Sequence, residues 1–265
     1  RVEGFPGTRR IGPPAMPERR RGGVELTSST KNRPANQSLQ GKVAFISGAS
    51  RGIGAGMASH FAEAGLRLVL CSRTPPALES SEVVIARSLD ARDEKGLDEL
   101  VAEAEERFGG IDLWVNNAGV LDPIRPVRDV SLEDFREHLD INLTGPFNTT
   151  REVLAGMMER GFGQIVNISS VNGRFGGSAL SGPAYATSKG GLITLTRFLA
   201  LEHAKDNIQV NCVAPGPHDT PMWRALDGGR RATILATVPS AEAPGDPDRL
   251  AGIIQFLCGP DATYI

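Results

Sequence analysis

The sequence predicts an α/β fold: a single domain built on one doubly wound, parallel sheet. Three observations point there. From Gly41 onward, short apolar runs alternate with longer stretches whose apolar residues recur at helical spacing. The runs are apolar throughout, the pattern of strands covered on both faces by crossover helices. Every unusual motif falls just after one of these runs, and open parallel sheets bind ligands beyond the carboxyl ends of their strands.

The first strand, around Val43–Ile46, runs into Gly48, Gly52 and Gly54, then into Met57, Ala58, Phe61 and Ala62 on one helix face. A strand, a glycine turn and a helix start make an anion site: glycine allows positive φ and close approach, and the first helical N–H groups point at a phosphate. The spacing is G-x-x-x-G-x-G, and no Gly-Lys-Ser/Thr follows, so a nucleotide-hydrolysing phosphate loop is not expected. Taken alone, the turn fits an ordinary strand–helix junction as well as a cofactor site.

Leu66–Cys71 reads as the second strand and Glu82–Ala86 as the third. Asp93–Phe108 is a helix with Leu97, Leu100, Val101 and Ala104 on one side, and Ile111–Val115 is the fourth strand, ending at Asn116-Asn117-Ala118-Gly119. Ser131 caps a long helix reaching Glu159. Gln164–Ile168 is the fifth strand, before Ser169-Ser170. Tyr185–His203 is a helix, Ile208–Val213 the sixth strand, and Asp246–Leu257 the last helix. Thr220–Pro244, with Met222, Trp223 and Ile234, reads either as an apolar lid or as a plain surface loop.

The chain has 265 residues, 40% of them hydrophobic and 23% charged, with net charge −2. That balance gives no electrostatic case for nucleic acid or an anionic membrane. No apolar run approaches the ~20 residues a membrane span needs. Cys71, Cys212 and Cys258 are scattered among apolar residues, as expected of buried thiols in a reducing, cytoplasmic setting. His60, His138 and His203 lie on separate helices and form no metal constellation. Residues 1–40 carry eight Lys and Arg against three Glu, with many Pro and Gly. They are expected to be a disordered basic tail ahead of a domain at 41–265, with an organelle leader as the minor alternative.

At this point the motifs resemble, in order, those of the short-chain dehydrogenase/reductase family, over Leu39 to Ile265. Ser47-Gly48-x-x-x-Gly52-x-Gly54 is similar to its cofactor glycine motif, with Ser47 where the family usually has Thr. Asn116-Asn117-Ala118-Gly119 is similar to its strand-four signature. Asn142, Ser170, Tyr185 and Lys189 resemble its catalytic tetrad, and Pro215-Gly216 its nicotinamide-side turn. The resemblance implies a Rossmann-like fold and an oxidoreductase interconverting a ketone or aldehyde with an alcohol. It also implies a homodimer or homotetramer in which the helices Ser131–Glu159 and Tyr185–His203 pair across subunits.

Tyr185 and Lys189 are four residues apart, on one helical face. A phenol titrates near ~10, and a nearby ammonium lowers that value toward the working range of a general acid. The resemblance implies that Tyr185 moves the proton, that Lys189 also binds the nicotinamide ribose, and that Ser170 bonds the substrate oxygen. Ser169 is the neighbouring alternative to Ser170. Asn142 would hold a water leading from Lys189 to solvent, or bond local backbone instead.

For the cofactor, Gly48, Ser50, Arg51, Gly52, Ile53 and Gly54 would cradle the pyrophosphate. Sites selective for NAD place a carboxylate after strand two. Here Ser72 stands in that position, followed by Arg73, with Arg51 on the same side. Guanidiniums suit a 2′-phosphate, so NADP(H) is expected over NAD(H). Asp90 would accept from the adenine amino group, with the Ala91 amide nearby, or else cap a helix. Asn116, Ala118 and Gly119 would line the adenine–ribose groove, with Asn116 also able to tie strands together. Thr220 would bond the carboxamide or pyrophosphate, His218 would contribute a backbone contact with an incidental side chain, and Asp112 would be structural.

Two departures stand out. Only Thr74–Ser81 separates strands two and three, and it includes Pro75-Pro76, whereas a crossover normally needs at least ~10–12 residues. Its helix is expected to be short or absent. The chain also stops at Ile265, where the family normally continues into a final strand, which would leave strand six as an apolar edge. A truncated homologue that binds cofactor or another subunit with little turnover is therefore the alternative function.

Overall fold

The computed structural model describes residues 39–121, 124–177, 181–239, 243–262 and 265. Nearly all of the expected basic tail lies outside the described residues. One six-stranded sheet organises the rest: β1 (Val43–Ser47), β2 (Arg67–Ser72), β3 (Val84–Ser88), β4 (Leu113–Asn116), β5 (Gly163–Ile168) and β6 (Ile208–Val213). All pair in parallel in the order β3-β2-β1-β4-β5-β6. The chain winds outward to β3, returns across β1 to β4, and winds outward again, so the switch point lies between β1 and β4.

The continuous apolar runs have the cause inferred for them. Successive side chains on a strand face opposite sides. Ala44, Ile46, Leu68 and Leu70 pack beneath α1 (Gly52–Glu63). Phe45, Val69, Ile85 and Trp114 pack on the other face with α2 (Glu94–Phe108), and Phe45 and Trp114 stack with ring centroids 3.7 Å apart.

β3 begins two residues later than the sequence reading placed it. Ser81 N–H donates to the Val84 carbonyl at 2.8 Å, closing a turn that takes in Glu82 and Val83. Among the described residues, Arg73–Val83 included, no helix lies between β2 and β3. The connection instead tucks Leu78 against the α1-side core and runs beside β3. There the Ser80 hydroxyl accepts from Ala86 N–H at 3.0 Å and donates to its carbonyl at 3.3 Å. A hydroxyl thus occupies main-chain groups that an edge strand would otherwise present.

The long helix expected from Ser131 to Glu159 is two helices joined by a wide turn. Ser131 caps α3 (Leu132–Leu139), accepting from Asp134 N–H at 3.0 Å. Residues Asp140–Thr144 then widen to i→i+5 bonding before α4 (Gly145–Arg160). Pro146 explains the change: it has no N–H for the Asn142 carbonyl, and its ring would collide with that carbonyl in a regular helix. The chain continues through α5 (Val171–Phe175), α6 (Pro183–His203), α7 (Pro221–Arg224), α8 (Gly228–Leu235) and α9 (Pro247–Leu257). Thr220–Pro244 is therefore no plain loop. It holds α7 and α8, with Trp223 and Ile234 buried. Among the described residues no helix is long and apolar enough to cross a membrane.

Candidate active site

The β1–α1 turn closes tightly on itself and on the β4 end. Gly48 and Gly52 adopt φ of 70° and 57°, a region that other residues enter at a cost. A Cβ on Gly54 would sit 2.2 Å from the Gly48 carbonyl oxygen, and one on Gly48 would sit 2.9 Å from Ala118 Cα. Ser47 makes the clasp between the strand ends. Its hydroxyl accepts from the Asn117 and Ala118 amides, both at 3.1 Å, while Asn117 Nδ2 donates to the Ser47 carbonyl at 2.9 Å. Neither side chain is among the site residues expected from the sequence. The one available signal was a hydroxyl kept where Thr is usual.

α1 also begins differently from its neighbours. Its first turn is preceded by Arg51, whose side chain makes no cap, whereas Asp93 caps α2 and Ser131 caps α3 with side-chain oxygens. The amides of Gly52, Ile53 and Gly54 lack intrahelical partners by helix geometry and carry the positive end of the helix dipole. Ser50 is half-buried beside them and Arg51 is exposed. Thr220 closes the other side: a Cβ on Gly52 would lie 3.3 Å from its Cβ and Cγ2. The Thr220 hydroxyl caps α7, accepting from Trp223 N–H at 3.3 Å.

At the β2 and β3 ends, Ser72 is buried and donates to the Thr74 carbonyl at 2.7 Å, while Arg73 is exposed. Asp90 is not the cap of α2; Asp93 is, accepting from Gly96 N–H at 3.1 Å. Asp90 instead meets Arg92 through both carboxylate oxygens. The hydrogen bond from Arg92, above all, holds its carboxyl below the usual range, against a smaller opposing effect of burial. Ala91 is half-buried between them.

Asn116 takes the strand-tying alternative. It is 2% exposed, donates to Thr150 Oγ1 and Asn167 Oδ1, and accepts from Trp114 Nε1 and Thr149 Oγ1. A carboxamide has two donors and two acceptor sites, so this one is fully spent inside the core. Its side chain does not line a groove. Ala118 and Gly119 are half-buried on the rim.

Strand β5 and helix α6 bring the remaining residues together. Lys189 is 3% exposed, donates to the Ile168 carbonyl at 2.7 Å, and lies 5.9 Å from the centroid of the half-buried Tyr185 ring. Burial lowers its pKa to about 8. Ser169 points at α6 and donates to the Lys189 carbonyl at 2.7 Å. Ser170 caps α5, accepting from Asn172 N–H at 3.2 Å. The α5–α6 approach is close because Gly173 meets α6 there: a Cβ on it would fall 2.5 Å from the Lys189 carbonyl carbon. Asn142 is fully buried and bonds distant rather than local backbone, accepting from Val120 N–H and donating to its carbonyl, both at 2.9 Å, which ties the wide turn to the loop after β4. A third bond runs from Nδ2 to Ser188 Oγ at 3.1 Å. A Cβ on Gly119 would lie 3.1 Å from Asn142 Oδ1 and 3.3 Å from Lys189 Nζ, so the missing side chain leaves that surface open.

Pro215 accepts from Val171 N–H at 3.1 Å, fixing the β6 turn to α5. Gly216 is exposed. The His218 ring bonds its own turn through the Gly216 carbonyl at 3.0 Å, and its backbone bridges to Gly245. Cys212 was not anticipated near the site. Burial raises its thiol pKa, opposed in part by the Lys189 charge.

The short chain dehydrogenase family model matches residues 42–230. The chain belongs to that family. It is 34% identical over 232 residues to 3-oxoacyl-acyl-carrier-protein reductase FabG of Vibrio cholerae, covering 86% of this chain and 93% of that protein. Galactitol 2-dehydrogenase of Agrobacterium fabrum is 34% identical over 244 residues, with 86% and 94% covered. L-fucose dehydrogenase of Mus musculus is 33% identical over 234 residues, with 84% of each chain covered. Among solved structures, a levodione reductase crystal structure superposes with a TM-score of 0.78 at 31% identity, over 85% of this chain and 93% of the other. This short-chain dehydrogenase is therefore an oxidoreductase of the reductase and dehydrogenase class, which works with a nicotinamide dinucleotide on small molecules. The residues present fit such a cofactor. The start of α1 lacks a side-chain cap, the glycine turn has no room for Cβ atoms, and Gly119 leaves space beside Lys189.

Proposed function

We propose that this short-chain dehydrogenase is an NADP(H)-dependent oxidoreductase that interconverts a ketone or aldehyde with a secondary or primary alcohol, with Tyr185 as general acid and base. The observation that carries this reading is the buried Lys189 ammonium, 5.9 Å from the Tyr185 ring, on the helix that packs against the Ser170 cap. A cation in a low-dielectric setting favours the phenolate, which suits Tyr185 to moving a proton. In the reducing direction Tyr185 donates that proton to the substrate oxygen. The Ser170 hydroxyl bonds the same oxygen and offsets charge developing there. In the oxidising direction Tyr185 takes the proton from the alcohol. When bound, the dinucleotide supplies or accepts the hydride.

The amides of Gly52, Ile53 and Gly54, with Gly48 and Ser50, would bind the pyrophosphate. Pro215, Gly216, Thr220 and the His218 backbone would face the nicotinamide end, and Lys189 and Tyr185 the ribose. Ala91, Ala118 and Gly119, with the Asn116 main chain, would frame the adenosine. Ser72 supplies no carboxylate to repel a 2′-phosphate. Arg51 and Arg73 are exposed and make no ion pair within 4 Å among the described residues, although the Arg73 charge acts on Asp90. That supports NADP(H). The Asn142 carboxamide spends both donors, on the Val120 carbonyl and Ser188 Oγ, and one acceptor site, on the Val120 N–H. A water relay from Lys189 would therefore rest on its one remaining Oδ1 site or on the Asn142 main-chain carbonyl, which Pro146 deprives of its usual donor. Pairing of subunits through α4 and α6 is supported by Phe147, Met158, Phe198 and Leu201, all exposed on those helices. Three free thiols support a cytoplasmic setting.

NADPH titration followed by a carbonyl-substrate panel tests the proposal. Tyr185→Phe should still bind NADPH, weakened at most by the one ribose hydrogen bond it gives up, and turn over nothing. A parent protein that binds NADPH yet reduces no carbonyl would favour the cofactor-binding homologue.

A further inference from the structure

Asp90 is expected to accept a hydrogen bond from the adenine amino group, and a carboxylate on a loop can turn in many directions. Here it cannot. Arg92 donates to Asp90 Oδ1 from its main-chain N–H and from Nε, both at 3.0 Å, and to Oδ2 from Nη2 at 2.7 Å. A carboxylate offers about four acceptor sites, so three are taken and one remains, on Oδ2. The Asp90 side chain keeps 33% of its surface exposed. Arg92 is itself held in place. The charges of Glu137 and Asp140, at the end of α3, also favour its guanidinium, and its stem lies 4.0 Å from where a Cβ on Gly145 would be.

We infer that Arg92 is a positioning residue for cofactor selection: its guanidinium and amide fix the Asp90 carboxylate so that its one remaining acceptor site meets the 6-amino group of an adenine. The inference rests on the NADP(H) site proposed above and names the residue that makes its adenine end selective. An acceptor held in advance gives up no rotational freedom on binding and meets a donor in one geometry only. Hypoxanthine presents a carbonyl oxygen at the same position, and two acceptors then face each other. The Arg92 fork is specific to this task, because a lysine ammonium cannot make the paired contact.

The experiment measures equilibrium binding of NADPH and of reduced nicotinamide hypoxanthine dinucleotide phosphate, by fluorescence, without turnover. Parent protein, Arg92→Ala, Arg92→Lys, Asp90→Ala and the Arg92→Ala/Asp90→Ala pair are compared. The parent should bind the adenine cofactor at least about tenfold more tightly, the worth of one charge-assisted hydrogen bond. Arg92→Ala should lose most of that ratio, Arg92→Lys should fall between, and the double variant should match Asp90→Ala. A purely structural role would weaken both cofactors alike and leave the ratio intact. If Arg92→Ala keeps or raises the ratio while Asp90→Ala abolishes it, the inference about Arg92 fails and the adenine site stands. If Asp90→Ala also leaves the ratio unchanged, the adenine role of Asp90 fails and the inference falls with it.

Discussion

Lys189 and Ile168 are joined at 2.7 Å, ammonium to carbonyl, and the contact is returned one residue on, where the Ser169 hydroxyl donates to the Lys189 carbonyl at 2.7 Å. The strand that ends before Ser170 and the helix that presents Tyr185 are thereby clamped from both sides. The clamp lies in the core, so the relative placement of the two proposed catalytic hydroxyls does not depend on a loop.

The clamp has a pH signature. Burial takes Lys189 from its usual 10.5 to about 8. Its folded value is thus below its unfolded value, and between about 8 and 10.5 the unfolded chain holds the extra proton. Stability therefore rises with pH across that window, as the folded form sheds a buried charge. Lys189→Met should remove this rise. Urea midpoints of parent and variant at pH 7, 9 and 10.5 check it, and a constant difference would contradict the assignment. The same variant should lose roughly 10²–10⁴-fold in kcat, since the proposed phenol loses its cation.

The two adjacent serines should separate cleanly. Ser170→Ala should lower kcat by about 10²–10³-fold with NADPH affinity nearly unchanged, and should cost about 0.5–2 kcal/mol of stability through the lost cap of α5. Ser169→Ala removes the donor to the buried Lys189 carbonyl and should cost about 1–3 kcal/mol of stability. Melting curves and steady-state kinetics on both variants decide between them. A kinetic loss confined to Ser169→Ala would reverse the roles.

Much of this was legible in the sequence because it is local. Apolar runs and helical spacing announce buried strands and helices wherever they occur, and the glycine turn follows from the need for positive φ at Gly48 and Gly52. Side-chain partnerships were less legible, because they depend on parity along a strand and on segments far away in sequence. Asn116 and Asn117 are chemically identical neighbours. One faces the core and is spent on Thr149, Thr150 and Asn167, and the other turns back to Ser47 and Gly48. A shift of one residue in a strand boundary exchanges those fates. The widening at Asp140–Thr144 was readable in principle from Pro146, and the Asp90–Arg92 pair from its two-residue spacing. Neither follows from hydrophobic pattern.

Asn116 can be tested as a strut. Asn116→Ala leaves Trp114, Thr149, Thr150 and Asn167 short of partners in a closed interior. Each buried polar group left unpaired costs about 1–3 kcal/mol. The variant should therefore melt far below the parent. Its NADPH affinity, measured well below the melting point, should stay close to normal. A selective loss of NADPH binding with normal melting would instead place this side chain in the groove.

Cofactor preference turns on Ser72. It is buried at the end of β2 and donates to the Thr74 carbonyl, with Arg73 exposed beside it. Ser72→Asp sets a carboxylate where a 2′-phosphate would lie, and like charges brought together cost several kcal/mol, so kcat/KM for NADPH relative to NADH should fall by about tenfold or more. An unmoved ratio would remove the argument for NADP(H).

Two helical glycines, one in α1 and one in α9, offer opposite substitutions. A Cβ on Gly54 would fall 2.2 Å from the Gly48 carbonyl oxygen and 2.6 Å from Asn117 Nδ2. The carbonyl is backbone and cannot step aside. Gly54→Ala must therefore spread the turn, at about 1–3 kcal/mol for an overpacked site, and should weaken NADPH binding by displacing the amides at the start of α1. Gly252 lies inside α9, where a Cβ would meet nothing within 4 Å. Alanine there restricts the unfolded chain without a clash, so Gly252→Ala should stabilise by about 0.5–1 kcal/mol and raise Tm by roughly 1–4 °C with activity unchanged. Calorimetry on both variants measures the contrast. Equal effects of the two would mean that the glycine turn has slack, and the claim that its backbone is already closed on itself would fail.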